Sequence, residues 1–181
     1  MLLDREQAVL VVIDIQEVLL PKDAAATETY LSNAAKMIRA ARILGLPVLV
    51  TEQYPERLGT TIARIAAELE GVPRLAKTEF GCMANEAFRT ALAALDRRQL
   101  LIVGMEAHVC VSQTALAAMA EGYGVFIAAD AVSSTTPSEY RFGLDRMARA
   151  GAAVVSVQMA IFELLRVSGT PEFKAMLPLL K

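Results

Sequence analysis

Three residues of this 181-residue chain stand just beyond apolar runs and could share one reaction. Asp14 follows Ala8–Ile13, Lys77 follows Pro73–Ala76, and Cys110 lies six residues past Gly104, which closes Gln99–Val103. A carboxylate, an ammonium and a thiol supply a base, a cation and a nucleophile. Cys110 also opens an Ala-rich helical stretch, Val109–Glu121, and a thiol at a helix N-terminus is drawn toward thiolate by the helix dipole. At an effective dielectric near ~20, a lysine ~4 Å from the sulfur favours thiolate by about 4 kcal/mol, roughly three pKa units. The expectation is a Cys110 thiolate below neutral pH, stabilised by Lys77, with Asp14 passing a proton to the leaving group and then taking one from water. Each residue alone has a plainer reading: Asp14 as a loop cap, Lys77 as a solvated cation, Cys110 as a packed, inert thiol.

What could bring the three together is an alternation of strands and helices. Ala8–Ile13 is a continuous β-branched run, the pattern of a parallel strand buried on both faces. Further strands are predicted at Pro47–Thr51, Pro73–Ala76, Gln99–Val103, Val125–Ala129 and Ala153–Val157. Helices are predicted over Thr27–Leu44, Ile62–Leu69, Asn85–Leu95, Val109–Glu121, from Pro137 to about Ala150, and over Ile161–Arg166 and Pro171–Leu179, with Tyr54–Thr61 as a loop. Six strands each followed by helix imply an α/β fold: a three-layer α-β-α, Rossmann-like domain on a six-stranded parallel sheet, spanning 1–181 as one unit. In such a sheet ligands bind beyond the carboxyl ends of the strands. That marks Asp14, Gln16, the segment Thr51–Gln53, Lys77, the segment Gly104–Cys110, and Asp130.

Composition narrows the function classes. Lys+Arg number 18 against 20 Asp+Glu, so there is no basic footprint for nucleic acid. The longest stretch without Asp, Glu, Lys or Arg, Ala107–Ala120, is too short to span a bilayer. The amino terminus meets charge at Asp4 before any apolar run, so no signal peptide is read there. Two cysteines cannot staple a fold of this size, which points to a reduced, cytoplasmic setting. Strand one ends without a glycine-rich turn, and no G-x-G-x-x-G or P-loop pattern occurs, so no nucleotide cofactor is expected. A hydrophobic content of 55% exceeds what one core needs and predicts a homo-oligomer.

Asp14-Ile-Gln16, Lys77 and Gly104-Met-Glu-Ala-His-Val-Cys-Val111 together resemble the isochorismatase-like cysteine hydrolase superfamily, over about Ala8 to Ile161. Thr51-Glu-Gln-Tyr-Pro-Glu-Arg-Leu-Gly59, Lys77-Thr-Glu-Phe80 and Ala129-Asp-Ala-Val-Ser-Ser134 are most similar to its isochorismatase domain-containing branch. The resemblance implies a catalytic Asp14, Lys77 and Cys110 and a cis peptide at Met105–Glu106. It also implies backbone N–H groups around Met105, Glu106 and Cys110 that receive an oxyanion. Gln16, Gln53, Tyr54, Phe80 and His108 become the candidates for contact with a small-molecule substrate. Two departures matter. Nicotinamidases of the superfamily carry a metal on Asp-x-His and a further His, where this chain has Thr51-Glu-Gln53 and one His in total; no metal is expected. The isochorismate-cleaving branch needs no thiol, whereas Cys110 is kept here. Hydrolysis of an amide, ureido or related acyl group through a Cys110 thioester is the resulting expectation, and a thiol sensor or binding module without turnover is the alternative.

Several residues keep two readings. His108 could serve as base to Cys110 or make a substrate contact or structural bond. Cys82 could be a second catalytic thiol or a packed one. Glu52 could set specificity, and Asp130 reads as a structural hydrogen-bonding residue.

Overall fold

A computed structural model describes residues 1–180; Lys181, the last residue of the predicted domain, lies outside the described residues. Its six strands are β1 (Ala8–Ile13), β2 (Val48–Gln53), β3 (Arg74–Lys77), β4 (Gln99–Gly104), β5 (Gly124–Val132) and β6 (Ala153–Val155). They form one parallel sheet in the order β3-β2-β1-β4-β5-β6. The helices are α1 (Ala24–Leu44), α2 (Pro55–Leu58), α3 (Ala63–Glu68), α4 (Glu86–Ala94), α5 (Ser112–Ala120), α6 (Pro137–Arg149), α7 (Val157–Leu165) and α8 (Pro171–Leu180).

The strand residues alternate between two cores, as a period of two requires. Ala8, Leu10 and Val12 of β1, with Leu101 and Val103 of β4, face one core packed by α1, α7 and α8. Val9, Val11 and Ile13, with Leu100 and Ile102, face the other, packed by α4 and α5. Strand order reverses direction between β1 and β4, and the carboxyl ends of those two neighbours open the crevice where parallel sheets bind ligands.

Element boundaries differ from the sequence reading where a polar side chain decides them. Helix α1 begins at Ala24 rather than Thr27 because the Asp23 carboxylate accepts the N–H groups of Ala25 and Ala26. Strand β6 stops at Val155 because Ser156 caps α7, accepting the Met159 N–H. Strands β2 and β3 run on to a paired Gln53 and Lys77, so Lys77 ends a strand inside the sheet instead of following one. Tyr54–Thr61, read as loop, contains α2, started by Pro55 at its first position. Cys110 does not sit within an α-helix: Ala107–Val111 is one turn of wide π-type helix, closed by Val111 N–H on Glu106 C=O at 3.1 Å, from which α5 then continues. Among the described residues no helix is long and apolar enough to cross a membrane.

Candidate active site

Asp14 is the hub. It terminates β1 with φ +50°, a conformation that Asp tolerates better than most residues and that turns its carboxylate across the crevice. One oxygen, Oδ1, accepts the Thr51 hydroxyl at 2.7 Å, and the other, Oδ2, accepts the Lys77 ammonium at 2.6 Å. Both members of the ion pair are buried, Asp14 fully and Lys77 to 2% exposure. Lys77 does not reach solvent as a strand-end lysine might. Its Nζ also donates to Gln53 Oε1, to the Phe80 carbonyl at 3.1 Å and to the Glu79 carbonyl at 3.2 Å. Four oxygens thus share its three N–H bonds and its charge is matched by one carboxylate, the condition under which a buried charge is tolerated.

Cys110 arrives from the other side of the switch point, its sulfur 4.0 Å from Gln53 Oε1. That oxygen is its hydrogen-bond acceptor, and the Asp14 carboxylate and the Glu106 N–H act on the thiol in opposite directions, the first raising and the second lowering its pKa. Burial pushes the Cys110 thiol up to about 12, the Asp14 charge adds to the rise, and Lys77 offsets part of it. The expected resting thiolate is therefore corrected. The simple Coulomb argument gave Lys77 a free positive charge, but that charge is already neutralised by Asp14, leaving desolvation to decide.

The other candidate residues divide into site and support. Gln53 lies between Lys77 and Cys110 and is anchored by donating to the Thr78 carbonyl at 2.9 Å. Gln16 offers no substrate contact: it is fully buried, donates to the Gln53 carbonyl at 2.9 Å and accepts the Gln53 N–H at 2.8 Å, so its amide fixes the end of β2. Met105 supplies no oxyanion donor, because its N–H is bonded to the Ile13 carbonyl at 2.8 Å. That leaves Glu106 and Cys110 N–H groups for the role. The Met105–Glu106 peptide is cis. His108 is not placed as a base: Nδ1 is 3.0 Å from Ser134 Oγ, and Nε2 faces the carboxylates of Glu106 at 3.5 Å and Glu139 at 3.9 Å. Tyr54, half-exposed, lines a recess of about 370 Å³ with Lys77, Thr78 and Asn85. Phe80 is exposed, and what it contributes to the site is its carbonyl on Lys77.

Glu52 and Asp130 are structural. The Glu52 carboxylate accepts both the N–H and the hydroxyl of Thr61, and Asp130 accepts the Val157 N–H at the start of α7. Cys82 is packed and sealed, 3.8 Å from Thr51 Oγ1, with burial pushing its thiol up to about 11. Sequence reasoning missed Thr51 as a partner of Asp14. Its signal was position, since Thr51 sits beside Ile13 in the β1–β2 register. Thr51, Glu52 and Gln53, at the positions that hold metal in nicotinamidases, are each committed to a protein partner. Among the described residues no group of three or more His, Cys, Asp or Glu could hold a metal ion.

The parallel sheet, with Asp14, Lys77 and Cys110 gathered at its switch point, is a hydrolase scaffold. The Isochorismatase domain matches residues 8–159, and the chain belongs to the isochorismatase family. It is 38% identical over 96% of its length to the secreted isochorismatase effector Isc1 of Phytophthora sojae, covering 84% of that protein. It is 34% identical over 98% of its length to isochorismatase domain-containing protein 2 of Danio rerio, covering 89% of that protein. Among solved structures it is similar to the MAR1 ribonuclease of Caenorhabditis elegans, with TM-score 0.89, 33% identity, and coverage of 99% of this chain and 92% of that one.

Proposed function

We propose that the protein is a metal-independent cysteine hydrolase of a small amide, ureido or related acyl substrate, working through a Cys110 thioester. The observation that carries this reading is one buried cluster in which the Asp14 carboxylate holds Lys77 at 2.6 Å and acts on the Cys110 thiol, which itself lies 4.0 Å from Gln53 Oε1. As the sulfur attacks the carbonyl carbon, its proton passes to Asp14 and the oxyanion is received by the Glu106 and Cys110 N–H groups. Collapse breaks the C–N bond, and Asp14 gives its proton to the leaving nitrogen. Asp14 then takes a proton from water, the hydroxide attacks the thioester, and the Cys110 sulfur leaves and is reprotonated. Lys77 keeps Asp14 in place and compensates its charge throughout.

The thiol-sensor alternative asks for an exposed, low-pKa cysteine. A buried thiol held as S–H argues against it. A ribonuclease name attaches to three structural neighbours; a net charge of −2 and a buried thiol suit a small carbonyl substrate better than a polyanion. A reducing compartment suits two free cysteines, and a second copy of the chain would cover exposed Phe142, Met159 and Phe162.

The test is acylation by p-nitrophenyl acetate followed by intact mass. One acetyl group on Cys110, turning over with water and surviving EDTA, is the expected result. No adduct on Cys110, or activity lost to EDTA and restored by zinc, iron or manganese, overturns the reading.

A further inference from the structure

The turn that carries Cys110 is gripped from outside by side chains the reaction above does not use. Glu106 faces two ways. Its carbonyl begins the turn by accepting the Val111 N–H at 3.1 Å, while its carboxylate Oε1 accepts the Thr135 N–H at 3.1 Å and Oε2 lies 3.5 Å from His108 Nε2. His108 in turn meets Ser134 Oγ at 3.0 Å and Glu139 of α6 at 3.9 Å. The backbone repeats the connection, with the Ala107 N–H on the Ser133 carbonyl at 2.8 Å. Behind it, a Cβ added to Gly143 of α6 would stand 2.7 Å from the Ala107 carbonyl carbon and oxygen, so α6 backs directly onto the turn where only glycine fits. The β5–α6 segment and the Cys110 turn therefore share one set of bonds. Backbone donors stabilise an oxyanion only when aimed to a few tenths of an ångström, and both donors left to this site belong to that turn.

We propose that the Glu106 carboxylate and the His108 imidazole are positioning residues: they tie the Cys110 turn to Ser134 and Thr135 and so set the aim of the oxyanion-binding N–H groups. This rests on Cys110 acting as an acyl-transfer nucleophile. Two reagents separate aim from nucleophilicity. With p-nitrophenyl acetate, the sulfur pair forms an S–C bond as the carbonyl π pair moves onto oxygen. The pair then returns as the C–O bond to p-nitrophenolate breaks, and the thiol proton passes to Asp14. With iodoacetamide, the S–C bond forms as C–I breaks, iodide departs, the thiol proton passes to Asp14, and no oxyanion develops.

Glu106→Ala and His108→Ala should slow acylation of Cys110 by about tenfold or more while alkylation stays within about twofold. Glu106→Gln, which keeps an acceptor for the Thr135 N–H, should recover most of the loss. Should the alanine variants fold poorly, Ser134→Ala provides the same contrast with a loss of a few-fold. Acylation that survives Glu106→Ala, acylation and alkylation that fall together, or a Gln variant no better than Ala would overturn this inference alone. Alkylation of Cys110 without acylation in the unsubstituted protein would overturn the hydrolase reading and this inference with it.

Discussion

Cys82, after β3, and Cys110, after β4, are two buried free thiols in one electrostatic neighbourhood, and only one has the surroundings of a nucleophile. Burial raises both, to about 11 and about 12, and both feel Asp14 and Lys77. The more strongly raised thiol is the better candidate. Cys110 lies 4.0 Å from Gln53 Oε1 beside a carboxylate that takes its proton in the proposed reaction, and the turn that carries it holds the N–H groups assigned there to the oxyanion. Cys82 has only hydroxyls about it, Thr51 Oγ1 at 3.8 Å and Thr114, whose oxygen also accepts the Cys82 N–H at 2.9 Å. Cys82 is fully buried, with no surface open to a substrate. The comparison teaches that in a dry site a proton acceptor counts for more than a depressed pKa.

The sharpest way to break it is to remove each sulfur. Cys110→Ala should abolish acylation by p-nitrophenyl acetate, and Cys82→Ser should leave its rate within about twofold. Intact mass and p-nitrophenolate release measure both. An acetyl group found on Cys82 would erase the distinction.

Next comes the proton acceptor. Asp14→Asn removes a negative charge, which by itself would lower the thiol pKa and speed alkylation. It also removes the base, a loss of ~10²–10⁴ in general base catalysis. With the thiol raised to about 12, almost none is thiolate at neutral pH, so the second effect should win and iodoacetamide alkylation of Cys110 should slow. Faster alkylation would restore the reading in which Asp14 serves only the leaving group and water. Lys77→Met leaves Asp14 buried without its counter-charge and should cost about 3–5 kcal/mol of stability. Asp14→Asn combined with Lys77→Met should recover part of that, since no lone charge remains; urea unfolding of the three variants gives the answer.

A smaller effect is expected at Thr51, whose hydroxyl serves Asp14 while its oxygen also stands near Cys82. Thr51→Val should destabilise the fold by about 1–3 kcal/mol, because a buried carboxylate loses one of its donors. Its effect on acylation should follow Asp14 rather than Cys82. Equal stability of the Val variant would show that Oδ1 does not depend on that hydroxyl.

Much of the frame was legible because it follows from local chemistry. The β-branched run Ala8–Ile13 reads as a strand buried on both faces, and the strands before Asp14, Lys77 and Cys110 put those residues beyond the carboxyl edge of one parallel sheet. What stayed hidden was pairing. Lys77 reads the same whether it reaches solvent or an aspartate, and taking its charge as free gave the wrong sign for the Cys110 shift. Gln16 and Gln53 look alike as polar residues at strand ends, yet Gln16 is consumed in holding β2 while Gln53 reaches the ammonium. Met105 could not be excluded as a donor until its N–H was seen on Ile13. Gly143 did leave a trace, since a glycine inside the helix Pro137–Arg149 marks a close approach, here to Ala107.

The last prediction looks for a property in which the two thiols should behave alike. Each has its pKa raised in the folded state above the ordinary value of 9.0, so the folded protein holds the proton longer than the unfolded chain does. Below pH 9 both states keep the thiol neutral and nothing changes. Above it the unfolded chain ionises first, and stability falls as pH rises toward the folded values, by up to about 1.4 kcal/mol per pH unit for each thiol. Cys82→Ser removes one of these contributions without touching the nucleophile or its base. Urea midpoints taken between pH 8 and pH 11 should therefore fall less steeply for Cys82→Ser than for the unsubstituted protein, while acylation at pH 7 stays as it was. Parallel alkaline limbs would mean that Cys82 ionises in the folded protein as easily as in the unfolded chain. The two thiols would then differ in burial as well as in the base beside Cys110, and their contrast in reactivity could no longer be assigned to Asp14 alone.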